Sequence, residues 1–318
     1  MHVDICVCTH NPRGDVFERV MKSIFNQRVT GGDSFSVLVV DNLSDPPLSE
    51  SIFSETRSLK IKTRTKLIKE PSQGIARARA AAANATCAEW ILFVDDDNEL
   101  SPDYVSNGFD IIRDHPTLGC FGGKLLLPDS VKPPKWSRPF LPYLGIKDFG
   151  EERIERFSTE WGPWEPPTAG AFVHRDVLQE YLRRSTSSEN FFRLGRQGGK
   201  LLSCEDSIMM RGAVSLGRSN AYEPSLILWH HLAPTRFRFS YLVRLMYGYG
   251  ISHVILDTIC GGPQPIPPYY KSKIKFLKMI LSILMVQGIN SIRYAIGMIA
   301  YHLGSRREHF SQQAVSDS

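Results

Sequence analysis

Trp90-Ile91-Leu92-Phe93-Val94 runs directly into Asp95-Asp96-Asp97, an uninterrupted apolar stretch that ends in three carboxylates. Five large apolar residues in a row suit a strand buried on both faces, as in a parallel sheet covered by helices. In an open α/β sheet, such a strand delivers the residues after it to the carboxyl edge, where ligands bind. Three adjacent like charges repel, and a hard cation such as Mg²⁺ or Mn²⁺ neutralises oxygen ligands of this kind. The competing reading is a solvated acidic turn capping a helix that starts near Ser101-Pro102. If the strand continued, Asp95 and Asp97 would share a side, whereas a turn separates them.

The segments on either side decide what kind of sheet receives this strand. Val3 to Cys8 and Phe35 to Val40 are short β-branched runs. Between them, Val16, Val20, Ile24 and Phe25 recur at helical spacing within Asp15 to Phe25, which predicts a βαβ start. A helical stretch around Ser49 to Leu59, a strand at Lys66-Leu67-Ile68 and an Ala-rich helix from Gly74 to Asn84 come next, before Trp90. This alternation predicts an α/β fold with a mostly parallel central sheet and helices on both faces. Right-handed crossovers then bring Thr9, Asp41 and the Asp95 to Asp97 turn to one edge.

Past Leu127 the chain is rich in Pro and Trp, from Pro128 through Trp161, Trp164 and Pro167. This reads as a loop region, with aromatic faces that either pack a sugar ring or plug the core. The small residues Thr168, Ala169, Gly170 and Ala171 allow a backbone to approach a ligand, or make a tight strand connection. Helical patterns resume at Arg175 to Arg184, at Glu205 to Leu216 and after Pro234 to about His302.

With 318 residues, 42% hydrophobic and 22% charged, the chain has the composition of a globular protein. A net charge of +5 makes no demand for nucleic acid. The six cysteines contain no CxxC pair and read as reduced core residues. No basic segment followed by an apolar one opens the chain, so no secretory signal is expected and the expected location is cytoplasmic. Met279 to Ile289 is too short to span a bilayer. The tail from Lys271 to Arg307 interleaves apolar and basic residues and reads either as an interfacial helix at the inner face of the membrane or as a helix packed on protein.

Several separated pieces carry a resemblance. Val-Cys-Thr-His-Asn at 7 to 11, Val-Val-Asp-Asn at 39 to 42, Gly-Ile-Ala-Arg-Ala-Arg at 74 to 79, Val-Asp-Asp-Asp at 94 to 97, Thr-Ala-Gly-Ala at 168 to 171, Glu-Asp at 205 to 206, and Trp-His-His at 229 to 231 with Arg236 stand in one order. Together they resemble an inverting family 2 glycosyltransferase of the GT-A fold, over roughly residues 3 to 250. The resemblance implies a nucleotide-sugar donor, a glycan or lipid-linked acceptor and a role in cell-surface polysaccharide synthesis. It also implies that Thr9 to Asn11, Gly74 and Arg79 line the nucleotide and diphosphate site. Asp41 would accept from the base, which favours a UDP- or dTDP-sugar because a carboxylate pairs with an imide N–H; its other reading is a turn or cap. Ala80 stands where the family has asparagine, and Arg77 is the alternative to Arg79.

The same resemblance assigns Asp95 to the ribose or metal shell, with Asp96 beside it, and Asp97 to Mn²⁺ or Mg²⁺. His230, rather than His231, completes the metal site. Asp206 is the implied base and Glu205 its orienting partner, although a carboxylate pair also suits a plain helix start. Arg236, Arg238 and Arg244 reach phosphate or form a solvated face. The expected division is a catalytic domain at 1–235, with a nucleotide-binding half at 1–100 and an acceptor half at 101–235. After it come a helical region at 236–310 and a disordered tail at 311–318. Rival readings are a non-catalytic nucleotide-sugar or membrane-binding module of the same fold, and a metal-dependent phosphohydrolase. The phosphohydrolase suits poorly the Asn98-Glu99 that succeeds the triplet.

Overall fold

The computed structural model describes residues 1–53, 63–188, 190–261 and 291–316. Strands β1 (His2–Thr9), β2 (Ser34–Asp41), β3 (Thr65–Lys69) and β4 (Trp90–Asp95) lie parallel in the order β3-β2-β1-β4. Their register sets Thr9 opposite Asp41 and Cys8 opposite Asp95, so the expected gathering at one edge holds. Helices α1 (Gly14–Phe25) and α2 (Ile75–Ala85) make the crossovers. The helix expected around Ser49 to Leu59 is a 3₁₀ turn at Glu50–Phe53, and residues 54–62 lie outside the described residues.

The sheet continues beyond β4 through β5 (Asn98–Leu100), β6 (Leu118–Leu126), β7 (Ile154–Arg156), β8 (Ala171–His174) and β11 (Ser219–His230). The order runs β4-β8-β6-β11-β5, with β7 also on β11. β8 is antiparallel to β4 and β6, while β6 and β11 are parallel. The direction therefore reverses at β8, beside the acidic turn. A small ribbon, β9 (Arg196–Gln197) with β10 (Lys200–Leu201), stands apart from the sheet. Helices α3 (Tyr104–Asp114), α4 (Arg175–Ser187) and α5 (Glu205–Ser215) cover its faces.

Apolar residues from both faces of β4 feed two cores: Trp90, Leu92 and Val94 belong to one, Ile91 and Phe93 to the other. This is why that strand reads as continuously apolar. A third core corrects the loop reading of the Pro-rich region. Its 3₁₀ segment Lys135–Leu144 buries Phe140 and Leu144 against α6 (Phe239–Cys260) and α7 (Ser291–Ser316). Proline is tolerated where few backbone amides need helical partners, so the segment packs without a long helix. α6 and α7 approach closely enough that a Cβ on Gly250 would sit 1.9 Å from the Tyr301 carbonyl oxygen. α7 continues to Ser316, through most of the stretch expected as a disordered tail.

Cys6, Cys8, Cys120 and Cys204 are buried, free thiols, whereas Cys87 is exposed. Among the described residues no helix is long and apolar enough to cross a membrane. The basic and apolar positions from Lys271 to Ile289, which motivated an interfacial helix, lie outside the described residues.

Candidate functional site

The carboxyl edge of the sheet opens into a cleft of 840 Å³ lined by Thr9, Arg79, Asp95, Asp96, Asp97, Asp206 and His230, among others. After Asp95 the chain turns and pairs back as β5 against the end of β11, with Asn98 opposite His230 and Glu99 opposite Trp229. The His231 amide donates to the Asp97 carbonyl at 2.8 Å. That pairing brings His230 Nε2 to 3.3 Å from Asp97 Oδ1. His231 turns the other way, its Nε2 at 2.8 Å from Glu99, as neighbouring strand residues must.

The three aspartates differ in their surroundings. Burial alone would raise the Asp97 carboxyl, but His230, Arg236 and Arg13 outweigh it and hold it below the usual range. Burial and the adjacent Asp97 push Asp96 up to about 7, although the Thr9 hydroxyl donates to it. Asp95 is also raised by burial, against the opposing pull of Arg79. Asp97 is thus the one of the three whose charged form its surroundings favour.

Asp97 and His230 Nε2 together offer one oxygen and one nitrogen to the cleft, and His230 Nδ1 has no hydrogen-bond partner among the described residues. No group of three or more metal-ligating side chains gathers there among those residues. Mg²⁺ and Mn²⁺ bound with a nucleotide take one or two protein ligands and complete their shell with phosphate and water, so the pair fits such an ion.

Arg79, 4 % exposed, reaches from α2 to the lining of the cleft. Its Nη1 donates to Glu205 at 2.6 Å and its Nη2 to Asp95 at 3.4 Å. The arginine expected at the diphosphate therefore joins two carboxylates. Arg77 stacks on Phe192 at 4.2 Å, which fixes the rotation of α2 in favour of Arg79. Glu205 is raised by burial, opposed by Arg79. Asp206, next to it in the first turn of α5, lines the open cleft. Cys204 before the pair adopts φ 70°, a left-handed conformation uncommon for a residue with a Cβ.

Asp41 takes the turn-building role: its two oxygens accept from the Ser44 and Leu48 amides at 3.0 and 2.8 Å, and the residue is buried. Asn11 accepts from the Asp45 amide at 2.7 Å and braces the same loop. The Gly74 amide donates to Asn42 Oδ1 at 2.7 Å. Thr168 and Ala169 line the cleft, but Gly170 lies beneath them, its amide donating 2.8 Å to the Phe93 carbonyl and its carbonyl accepting from Tyr104. At φ 81°, with Leu228 and Tyr104 where a Cβ would stand, it is the glycine of a tight strand junction.

Sequence reasoning missed Arg13, 3.9 Å from Asp97 and donating to the His231 carbonyl. It also missed Glu165, a buried carboxylate close enough to Asp206 to feel its charge. Neither belongs to a recognisable motif. Of the three later arginines, Arg236 lines the cleft, whereas Arg244 is not in its lining and donates to the Gly199 carbonyl.

The sequence profile of Glycosyl transferase family 2 matches residues 4–182, more than half of the chain. The chain belongs to glycosyl transferase family 2. A mannosyltransferase from Pyrobaculum calidifontis, solved with GDP-Man and Mn²⁺, superposes with a TM-score of 0.57 at 14% identity, covering 97% of this chain and 86% of that one. TarS 1–349 of S. aureus, solved with UDP, gives a TM-score of 0.50 at 13% identity, covering 98% and 92%. These likenesses establish the shared GT-A fold. No curated protein matches the sequence. This family 2 member is a glycosyltransferase that uses a nucleotide-sugar, and its described C-terminal helices are part of the length shared with both structures.

Proposed function

We propose that this glycosyltransferase moves a sugar, with inversion, from a nucleoside-diphosphate sugar in the cleft to an acceptor hydroxyl, with Asp206 as base. The observation that carries this reading is the approach of His230 to Asp97 in the cleft that Asp206 also lines. Asp97 and His230 would hold a divalent cation together with the donor diphosphate. When bound, that ion neutralises charge developing on the departing diphosphate. Arg13 and Arg236 add positive charge beside Asp97. Asp206 faces the open cleft, where a carboxylate can take the acceptor proton as the new bond forms. Arg79 neutralises Glu205 and Asp95 and so keeps the start of α5 in position.

Because Asp41 is engaged beneath its loop, nucleobase choice falls to the cleft-wall side chains. Binding of UDP, dTDP and GDP should therefore be compared by calorimetry with Mn²⁺ and with EDTA. One nucleotide should bind with Mn²⁺ and lose at least about tenfold in affinity with EDTA or in Asp97→Ala, since its phosphates then lose their cation. Binding insensitive to both changes would defeat the metal assignment. A lipid-linked or glycan acceptor, and a role in building cell-surface polysaccharide, extend the same reading.

A further inference from the structure

Among the described residues, α7 carries an exposed apolar stripe. Ile292, Ile296, Leu303 and Phe310 are 48, 39, 54 and 61 % exposed, and their spacing keeps them on one side of the helix. Leu303 continues into a groove of 880 Å³ between α6, α7 and the β9–β10 ribbon, with Leu202, Ile251 and Ala300 in its floor. Arg77, Arg193, Lys200, Arg244 and Arg307 line it, against the carboxylate of Glu308. Arg193 pairs with Glu308 at 2.9 Å, and Arg307 donates to the Tyr247 hydroxyl at 3.2 Å. Among the described residues of its lining, one carboxylate against five cations leaves the groove strongly positive above an apolar floor.

The groove and the cleft share Gln197, Gly199, Lys200, Leu201 and Leu202, so one ribbon is the partition between them. A free anion would leave the floor unused, and a neutral lipid would leave the cations uncompensated. We propose that the groove binds the anionic lipid portion of the acceptor, a hydrocarbon chain ending in phosphate, with the phosphate among the arginines and the chain along the α7 stripe. This names the acceptor class and rests on the donor-cleft reading above.

The test uses the full chain and farnesyl phosphate below its micellar concentration, with farnesol and inorganic phosphate as controls. Farnesyl phosphate should bind at least about tenfold more tightly than either control, because only it meets both the floor and the rim. Leu303→Asp and Arg307→Glu, both outside the cleft, should each weaken it roughly tenfold, the scale of one lost apolar or charge-assisted contact. Nucleotide affinity and melting temperature should stay at the parent's values and so report that the variants are folded. Equal binding of farnesol, equal binding of phosphate, indifference to both variants, or binding only to phosphatidylglycerol vesicles would each overturn the proposal. A protein that binds farnesyl phosphate in this way but no nucleotide would keep the groove and refute the donor cleft.

Discussion

His230 ends β11 and His231 follows it, and only one of the two meets the aspartate turn. Because successive strand residues point to opposite sides, His230 faces Asp97 and His231 faces Glu99. His230→Ala should therefore lower Mn²⁺-dependent nucleotide affinity by about tenfold or more, a change calorimetry reads directly. His231→Ala should leave that affinity near the parent's and cost roughly 1 kcal/mol of stability through its lost hydrogen bond. Equal losses of affinity in the two variants would contradict the assignment. Asp206→Asn removes the proposed base without changing its shape. Its kcat should fall by roughly 10²–10⁴-fold with nucleotide affinity retained, and an unchanged rate would exclude Asp206 as base.

At the level of elements, the junction between the Pro-rich segment and β8 depends on one glycine. Gly170 combines φ 81° with contacts of 2.3 Å to Leu228 and 2.6 Å to Tyr104 for an added Cβ, whereas Gly217, at φ 72°, meets nothing within 4 Å. Gly170→Ala should cost about 2–4 kcal/mol, from the left-handed conformation plus overpacking. Gly217→Ala should cost only the conformational part, about 1 kcal/mol. Urea unfolding of the two variants side by side measures the difference, and similar losses would mean that the junction relaxes freely. The strands β6 and β11 were not legible beforehand for related reasons. Gly119, Gly122 and Gly123 dilute the apolar signal of β6, and β11 carries Pro224 within the register shift between Tyr222 and Ile227.

For the molecule as a whole, pH bears on stability through a carboxylate that no motif contains. Burial pushes Glu165 up to about 7, against Ser207 and Arg211, which favour its charged form. Its ordinary value is 4.5, so between these two pH values the folded state holds a proton that the unfolded state has lost. The stability it contributes is fully present below about 4.5, declines as pH rises and levels off above about 7. Glu165→Gln keeps the shape and removes the titration. The melting temperature of the variant relative to the parent should therefore climb between pH 4.5 and 7.5. A flat difference across that range would show that Glu165 titrates normally.

The periodicity of the chain by itself determined the βαβ beginning, the fully buried β4 and the common edge shared by Thr9, Asp41 and Asp95, because each rests on local spacing and on the handedness of crossovers. The order of motifs then marked the family. What Arg79 and Asp41 touch was decided only by the tertiary structure, since a buried arginine takes the nearest carboxylates and a buried carboxylate takes the nearest amides, whichever segments supply them. The same holds for the meeting of His230 with Asp97 and for the basic groove beside α7. Each joins residues far apart in the chain, and contacts of that kind depend on strand pairing and helix packing that no local pattern records.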